Sequence, residues 1–456
     1  MKLRGGYNIR LAGRPAGTIC APDRPEVLLL PQRTPRVRFN KVLVKSGQSV
    51  RSGQPLAIAS GHFELPLVSP MDGVVRLRVH RGHIQLESLA EGDPHVPESP
   101  DSPYGPQRQA LIDRGAWLFL HDAFGDHVPD PARRPAAAIV STTSLEPFAG
   151  PRGDVLLGES MDAFLSGLEC LTALVEGTIH VALPTGRFAL ADRLRQALDG
   201  NSRIRIVDIP LRYPMDRFNM LTRFLGLRPE KGQTVWGLRT EGVLAMDRAL
   251  VVGRPVVDRT LAIGGSAVSG PTHVRVPVGY PIERLLSDRL VDQPHRVIDG
   301  GILNGRTVDE NQLGVGAEST GLTVLLEPTR RELWGFVRTG LDRISYSNCF
   351  MSLFRPKYVE PLTTALRGEH RPCIGCGYCE ELCPVDIMPH WIHKLAYQDA
   401  LEEIDRCASH RCIGCGLCSY VCPSKLDLRR EILEVNQTIR RDLHAVDEDA
   451  SEEVAG

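Results

Sequence analysis

Two stretches near the C-terminus repeat one cysteine arrangement, Cys373-Ile-Gly-Cys376-Gly-Tyr-Cys379-Glu-Glu-Leu-Cys383-Pro384 and Cys412-Ile-Gly-Cys415-Gly-Leu-Cys418-Ser-Tyr-Val-Cys422-Pro423. In each, three cysteines two residues apart force a tight loop round one centre, and a fourth, followed by proline, leaves that loop too early to serve it well. Such spacing is that of thiolate ligation to iron–sulfur cubes. It points to electron transfer, and it makes the two stretches one folded unit.

In two-cluster ferredoxins the fourth cysteine of each run ligates the other cluster. By that rule one [4Fe-4S] cluster takes Cys373, Cys376, Cys379 and Cys422, and the second takes Cys412, Cys415, Cys418 and Cys383. Gly375, Gly377, Gly414 and Gly416 then let the backbone pass close to the cubes, because glycine tolerates the dihedrals needed. Paired C-x-x-C elements also hold structural zinc, but zinc needs neither the third cysteine at the same step nor the Cys-Pro that follows. Without a secretory signal, disulfides are disfavoured. Eight of the 12 cysteines are so used, leaving Cys20, Cys170, Cys349 and Cys407. Cys407 lies five residues before the second motif and reads as a buried free thiol rather than a spare ligand. No cluster cysteine is missing, so His390, His393 and His410 read as ordinary helix residues rather than Rieske-type ligands.

A chain of 456 residues predicts about three domains from length alone. The formal net charge of −1 gives no global attraction to nucleic acid. The first 41 residues are locally basic, with Arg10, Arg14, Arg24, Arg33, Arg36, Arg38 and Lys41 among them, which predicts either a solvated basic surface or a face for an acidic partner or lipid heads. No apolar run reaches the roughly 18–20 residues of a membrane helix. The opening Met1-Lys-Leu-Arg-Gly-Gly has no hydrophobic signal core, so the protein is expected to stay where it is made, in the cytoplasm. Residues 446–456 are acidic and poor in large apolar side chains, which predicts a disordered tail.

Hydropathy patterning predicts a multidomain chain of mixed α/β and α+β class. Residues 1–110 form an N-terminal segment and, at about 38–80, short alternating strands between glycine turns. These strands resemble the barrel-sandwich hybrid of biotinyl and lipoyl carriers. The hairpin Gly61-His-Phe-Glu-Leu-Pro-Leu67 lacks the carrier's lysine, which implies a structural module. Residues 111–235 alternate strands (Ala137–Val140, Thr178–Leu183) with helices (Met161–Leu174, Phe188–Leu198), predicting a Rossmann-like parallel layer. No G-x-G-x-x-G or Walker sequence accompanies it. Residues 236–325 return to short strands with a helix at Ile282–Leu290, and 326–445 read as helical, with Ser424 as the N-cap of a helix running to about His444.

This order of parts resembles the A subunit of the sodium-translocating NADH:quinone oxidoreductase and the related C subunit of the Rnf complex. The residues that carry the first likeness are Arg4-Gly-Gly-Tyr-Asn-Ile-Arg-Leu-Ala-Gly13-Arg-Pro15, Gly167-Leu-Glu-Cys170 through Gly177-Thr-Ile-His180-Val181, and Gly340-Leu-Asp342-Arg-Ile-Ser345-Tyr-Ser-Asn348. The segment from Arg259 to Pro271 fits the β-grasp-like (SLBB-type) domain that both families share. The Rnf subunit carries a Gly-Leu-Gly-Gly loop that resembles a flavin mononucleotide site. Here the corresponding Ala110-Leu-Ile-Asp-Arg-Gly115-Ala-Trp117 has one glycine and a tryptophan, which argues against FMN and NADH binding. The quinone-reductase subunit, conversely, usually has most cluster cysteines replaced, whereas this chain has all eight.

The resemblance implies a peripheral subunit on the cytoplasmic face of a membrane respiratory complex, relaying electrons through two [4Fe-4S] clusters. Its partners would be membrane subunits carrying flavin or quinone, with a flavoprotein or ferredoxin as a possible donor. Two other readings stand beside it: an Rnf-like subunit that oxidises NADH through bound flavin, and a docking subunit whose clusters only brace the helical region.

Overall fold

The computed structural model describes residues 5–61, 63–97, 102–186, 189–230, 232–328, 354, 359, 363–364 and 370–455. The stretch Gly340–Asn348, Cys349 and most of the expected helical entry from 326 lie outside the described residues. The chain forms two compact units, Gly13–Leu211 with Met215–Leu325, and Met1–Ala12 with Arg212–Pro214 and Leu326–Gly456. Residues 5–12 thus group with the cysteine-rich region.

In the larger unit two small antiparallel sheets come first. One has the order Leu28–Pro31, His83–Ala90, Asp72–Leu77, Ser49–Val50, and the other Lys41–Val42, Pro55–Ala59, Leu65–Val68. These strands bury Leu28, Leu30, Leu56, Val75, Ile84 and Leu86, and Leu28–Pro31 is buried along its whole length. Gly47 and Gly53 turn the chain with φ of 87° and 81°.

A five-stranded sheet follows in the order Ile204–Ile209, Ile179–Pro184, Arg134–Ser141, Gln233–Arg239, His121–Asp122, parallel except at its last strand. Its helical span Gly153–Leu174 breaks at Ser160, whose φ of −139° and ψ of 40° are not helical, so that the part after the kink is the expected Met161–Leu174, and the next helix runs Ala189–Leu198. The glycines of the 167–181 stretch explain themselves by packing. A Cβ on Gly167 would stand 2.2 Å from the carbonyl oxygen of Val243 on the helix Thr240–Leu250, and one on Gly177 2.1 Å from that of Ala136.

The third layer is a six-stranded sheet of order Ile19–Cys20, Thr272–Pro277, Asp258–Gly264, Gly321–Leu326, His295–Asp299, Arg306–Thr307, with a shorter helix than expected, Ile282–Leu286. Arg36 does not belong to a solvated basic face. It is turned inward, paired with Glu318, and donates to the carbonyl oxygens of Leu118 and Leu120. A carboxylate in a pocket of backbone carbonyls outcompetes water for a guanidinium fork.

The smaller unit carries short helices, Tyr378–Glu381, Pro389–Ala396, Leu401–Arg406 and Leu417–Val421, and the long helix Leu428–Ala455. Ser424 does not cap that last helix, because its hydroxyl donates to the Pro372 carbonyl at 2.9 Å. Asp427 accepts from the Arg430 N–H at 3.4 Å instead. The backbone stays helical through residues composition assigns to a disordered tail. No glycine or proline interrupts 428–455, and an established helix propagates cheaply through alanine and glutamate.

Candidate iron–sulfur site

Each cysteine loop is shaped by glycine. Gly375 and Gly414 take φ of 67° and 62°, Gly377 and Gly416 76° and 79°, left-handed values that side chains resist. Gly377 and Gly416 are also the N-caps of the helices Tyr378–Glu381 and Leu417–Val421. The repeat extends beyond the cysteines: Asp386 and Lys425, each three residues after the fourth cysteine, share a φ of 55°. The Gly414 N–H lies 3.4 Å from Cys412 Sγ, the kind of amide-to-sulfur contact that tunes a cluster.

The loops surround two hollows. Cys373, Cys376, Cys379 and Cys422 line one, with Ile374, His390 and Leu426. Cys412, Cys415, Cys418 and Cys383 line the other, with Ile387, Leu417 and Ile432, and Cys379 borders this one too. The fourth cysteine of each run therefore stands at the hollow of the opposite loop. Among the described residues the thiols ring these hollows rather than converge on the point a single ion would occupy.

The electrostatics of the donor sets fit a cationic group. Burial pushes the Cys379 thiol up to about 12, and the neighbouring Cys376 and Cys422 add to it. Burial likewise drives Cys418 well above the ordinary thiol range, reinforced by Cys415, Cys412, Cys379 and Cys383. Such crowded thiolates are stable only beside compensating positive charge, which the irons of a cube supply.

The structure brings all eight predicted cysteines to the two hollows, and among the described residues it leaves Cys20, Cys170 and Cys407 out. Cys20 is exposed, and Cys170 and Cys407 are half-buried. Cys407 is thus not the buried thiol expected: its backbone closes the helix Leu401–Arg406, and it borders neither hollow. Nor is His390 an ordinary helix residue, because its Nδ1 is 3.8 Å from Cys379 Sγ and 3.7 Å from Glu380. His393 is buried and holds Glu431 at 2.5 Å, a structural link, while His410 faces Asp405 at 3.7 Å. Two groups carried no local signal. Tyr213 is buried and donates its hydroxyl to the Cys415 carbonyl at 2.6 Å, and the Gly6 N–H donates to the Leu382 carbonyl at 2.9 Å.

Away from the cysteines, the segment that resemblance would make a flavin loop is a packing element. Gly115, at φ 74°, opens a 3-10 turn, Ala116–Phe119, that drives Trp117 into the core. There Trp117 meets Trp236 edge to face at 5.4 Å and donates to the Pro129 carbonyl at 2.9 Å.

Residues 107–255 match the family described as NqrA second alpha/beta domain, 260–310 the NQRA C-terminal domain, and 372–426 the 4Fe-4S dicluster domain. The chain thus joins NqrA-type domains to a dicluster ferredoxin-type domain. Among individual proteins it is similar to the A subunit of the Na(+)-translocating NADH-quinone reductase of Neisseria meningitidis serogroup A / serotype 4A, 27% identical over 402 residues, covering 85% of this chain and 87% of that one. The same subunit of Photorhabdus laumondii subsp. laumondii is 27% identical over 401 residues with the same coverage, and that of Yersinia pestis bv. Antiqua 25%. A crystal structure of an NAD+-reducing [NiFe]-hydrogenase covers 54% of this chain and 49% of its own at 15% identity and a TM-score of 0.37, too distant to bear on fold or function. Among the described residues no helix is long and apolar enough to cross a membrane.

Proposed function

We propose that the chain is a peripheral electron-transfer subunit of a membrane NADH:quinone oxidoreductase-type complex, on its cytoplasmic face, relaying electrons through two [4Fe-4S] clusters. The observation that carries this reading is the pair of hollows, each lined by a complete set of four thiols and both bordered by Cys379. Cys373, Cys376, Cys379 and Cys422 would hold one cube and Cys412, Cys415, Cys418 and Cys383 the other. When bound, the cubes supply one-electron redox chemistry. The residues hold the thiolates in register, exclude water on the side of Ile387, Leu417 and Ile432, and place Cys379 as the wall between the two sites.

The relatives' name, which makes them the A subunit of a Na(+)-translocating NADH-quinone reductase, supports membrane subunits of a respiratory NADH:quinone complex as partners; a flavoprotein or ferredoxin-type donor is this reading's own proposal for the electron source. A flavin of the chain's own is disfavoured by the fully buried Trp117 and by the crevice of the parallel sheet. In such sheets ligands bind where the strand order reverses, outside the carboxyl ends. Here that point lies between Arg134–Ser141 and Gln233–Arg239, and the chain's own polar groups are paired with one another there. Arg239 donates to the Thr143 carbonyl at 2.8 Å and to Asp216 at 3.1 Å, and Asp216 also accepts from the Leu145 N–H at 3.1 Å.

The test is the iron, sulfide and flavin content of anaerobically purified protein, with its visible spectrum before and after NADH. About eight irons per chain, no flavin and bleaching by dithionite but not by NADH support the relay. Bound flavin with rapid bleaching by NADH would make this an NADH-oxidising subunit instead.

A further inference from the structure

The two loops carry the same five residues, Cys-Ile-Gly-Cys-Gly, yet their surroundings are opposite. In the first, Ile374 is 70% exposed, Cys376 is exposed, and among the described residues nothing lies within 4 Å of the place a Cβ on Gly375 would take. In the second, Gly414, Cys415 and Gly416 are buried. The long helix covers this loop: the Leu433 side chain comes within 3.6 Å of a Cβ at Gly414, and Arg429 Nε donates to the Gly414 carbonyl at 2.8 Å.

Residues remote in sequence complete the cover. Tyr213, 1% exposed, donates to the carbonyl of Cys415 at 2.6 Å. The Tyr7 N–H donates to the Tyr213 carbonyl at 2.9 Å, the Gly6 N–H to that of Leu382 at 2.9 Å, and Arg212 Nε to that of Gly6 at 3.0 Å. Gly5 lies against the chain so closely that a Cβ there would stand 2.5 Å from the Cys383 carbonyl oxygen. Residues 5–7 and 212–213 therefore form a bracket whose two arms end on Cys415 and Cys383.

We infer that Tyr213 and the Gly5–Tyr7 segment are positioning residues of the second cluster, fixing Cys415 and Cys383 and sealing that site, so that the first cluster, at Cys376 and Ile374, is the one that exchanges electrons with a partner protein. The inference rests on the cluster assignment made above. Cluster potential responds to hydrogen bonding and to solvent exposure. A hydroxyl donating to the Cys415 carbonyl draws electron density from the peptide of a ligating cysteine and so favours the reduced cube. Its removal lowers that cube's potential and leaves the other unmoved. A bracket that served only to hold the fold together would shift neither potential selectively.

The experiment uses the full-length holoprotein under anaerobic conditions, with iron content measured first. Dithionite-reduced protein is mixed with excess bathophenanthroline disulfonate and iron(II) release is followed, while a parallel potentiometric titration is read by electron paramagnetic resonance. Wild type should lose iron in two equal phases, the fast one absent in Cys376→Ser. Tyr213→Phe should accelerate the slow phase about tenfold, the loss of one buried hydrogen bond, leave the fast phase unchanged and lower one of the two potentials. Should Tyr213→Phe not assemble, Arg212→Met, which loosens the bracket from outside, should accelerate the same phase. One undivided phase in wild type, or variants that change neither the slow phase nor either potential, overturns the inference with the clusters intact. Wild-type protein without iron would instead overturn the cluster assignment itself.

Discussion

Replacing Gly5 by alanine should destabilise the cysteine-rich unit far more than replacing Gly375, although the two glycines share one backbone conformation, φ 64° and 67°. A left-handed alanine costs about 1–2 kcal/mol, and the stiffer unfolded chain returns about 0.4–1 kcal/mol. At Gly375 the Cβ would meet no described residue within 4 Å, so only this difference remains, about 1 kcal/mol. At Gly5 the Cβ would meet the carbonyl oxygens of Cys383 at 2.5 Å and Leu382 at 2.7 Å. Those atoms are backbone and cannot swing aside without moving a cluster cysteine, so overpacking adds about 1–3 kcal/mol, for a total of about 2–4 kcal/mol. Guanidinium titration of the holoprotein, followed by the loss of cluster absorbance, gives the two shifts when compared at equal slope. Equal shifts, or a larger one for Gly375→Ala, would refute the docking of the N-terminal segment on Cys383.

Cys376→Ser should reduce the iron content from about eight to about four per chain, with the limited-proteolysis pattern of the larger unit unchanged. Trp117→Ala should cost about 3–5 kcal/mol through the cavity it leaves, seen as faster limited proteolysis of the larger unit at undiminished iron content. Arg36→Met should cost about 3–5 kcal/mol at neutral pH by leaving Glu318 buried without its cation, measured by urea unfolding followed by tryptophan fluorescence. Burial alone would raise the Glu318 carboxyl, but the Arg36 charge, with hydrogen bonds from Thr34 and Arg36, holds it below its ordinary 4.5. Its stabilisation is therefore complete above that value and lost as pH falls through the depressed one. The gap between wild type and Arg36→Met should accordingly narrow with acidification, and a gap that widens would contradict the pairing.

What the sequence made legible was local. The cysteine steps, the four loop glycines and the alternation of strand, helix and strand at Ala137–Val140, Met161–Leu174 and Thr178–Leu183 are each set within a few residues, and the observed elements contain or overlap them, with the first strand starting earlier, at Arg134, and the helical span at Gly153. The bracket was not legible, since Tyr213 lies 202 residues from Cys415 and nothing local marks a tyrosine hydroxyl as a partner of a cysteine carbonyl. The Gly5-Gly6-Tyr7 opening stood out only as a likeness to relatives, and its reason, close approach to Leu382 and Cys383, is tertiary. Arg36 counted as surface charge because composition cannot see Glu318 at the far end of the unit's sequence. Ser424 was a sound cap by residue type, but its hydroxyl had a nearer acceptor in Pro372.

The central claim is that two reducible cubes share this one chain. A stepwise reductive titration of anaerobic holoprotein, followed by electron paramagnetic resonance, tests it directly. The account predicts two electrons taken up per chain in two one-electron steps, each with its own four-iron signal, with Cys376→Ser abolishing one and Cys415→Ser the other. Clusters that stay oxidised across the range between NADH and quinone would contradict it and leave the cubes as braces of the helical region.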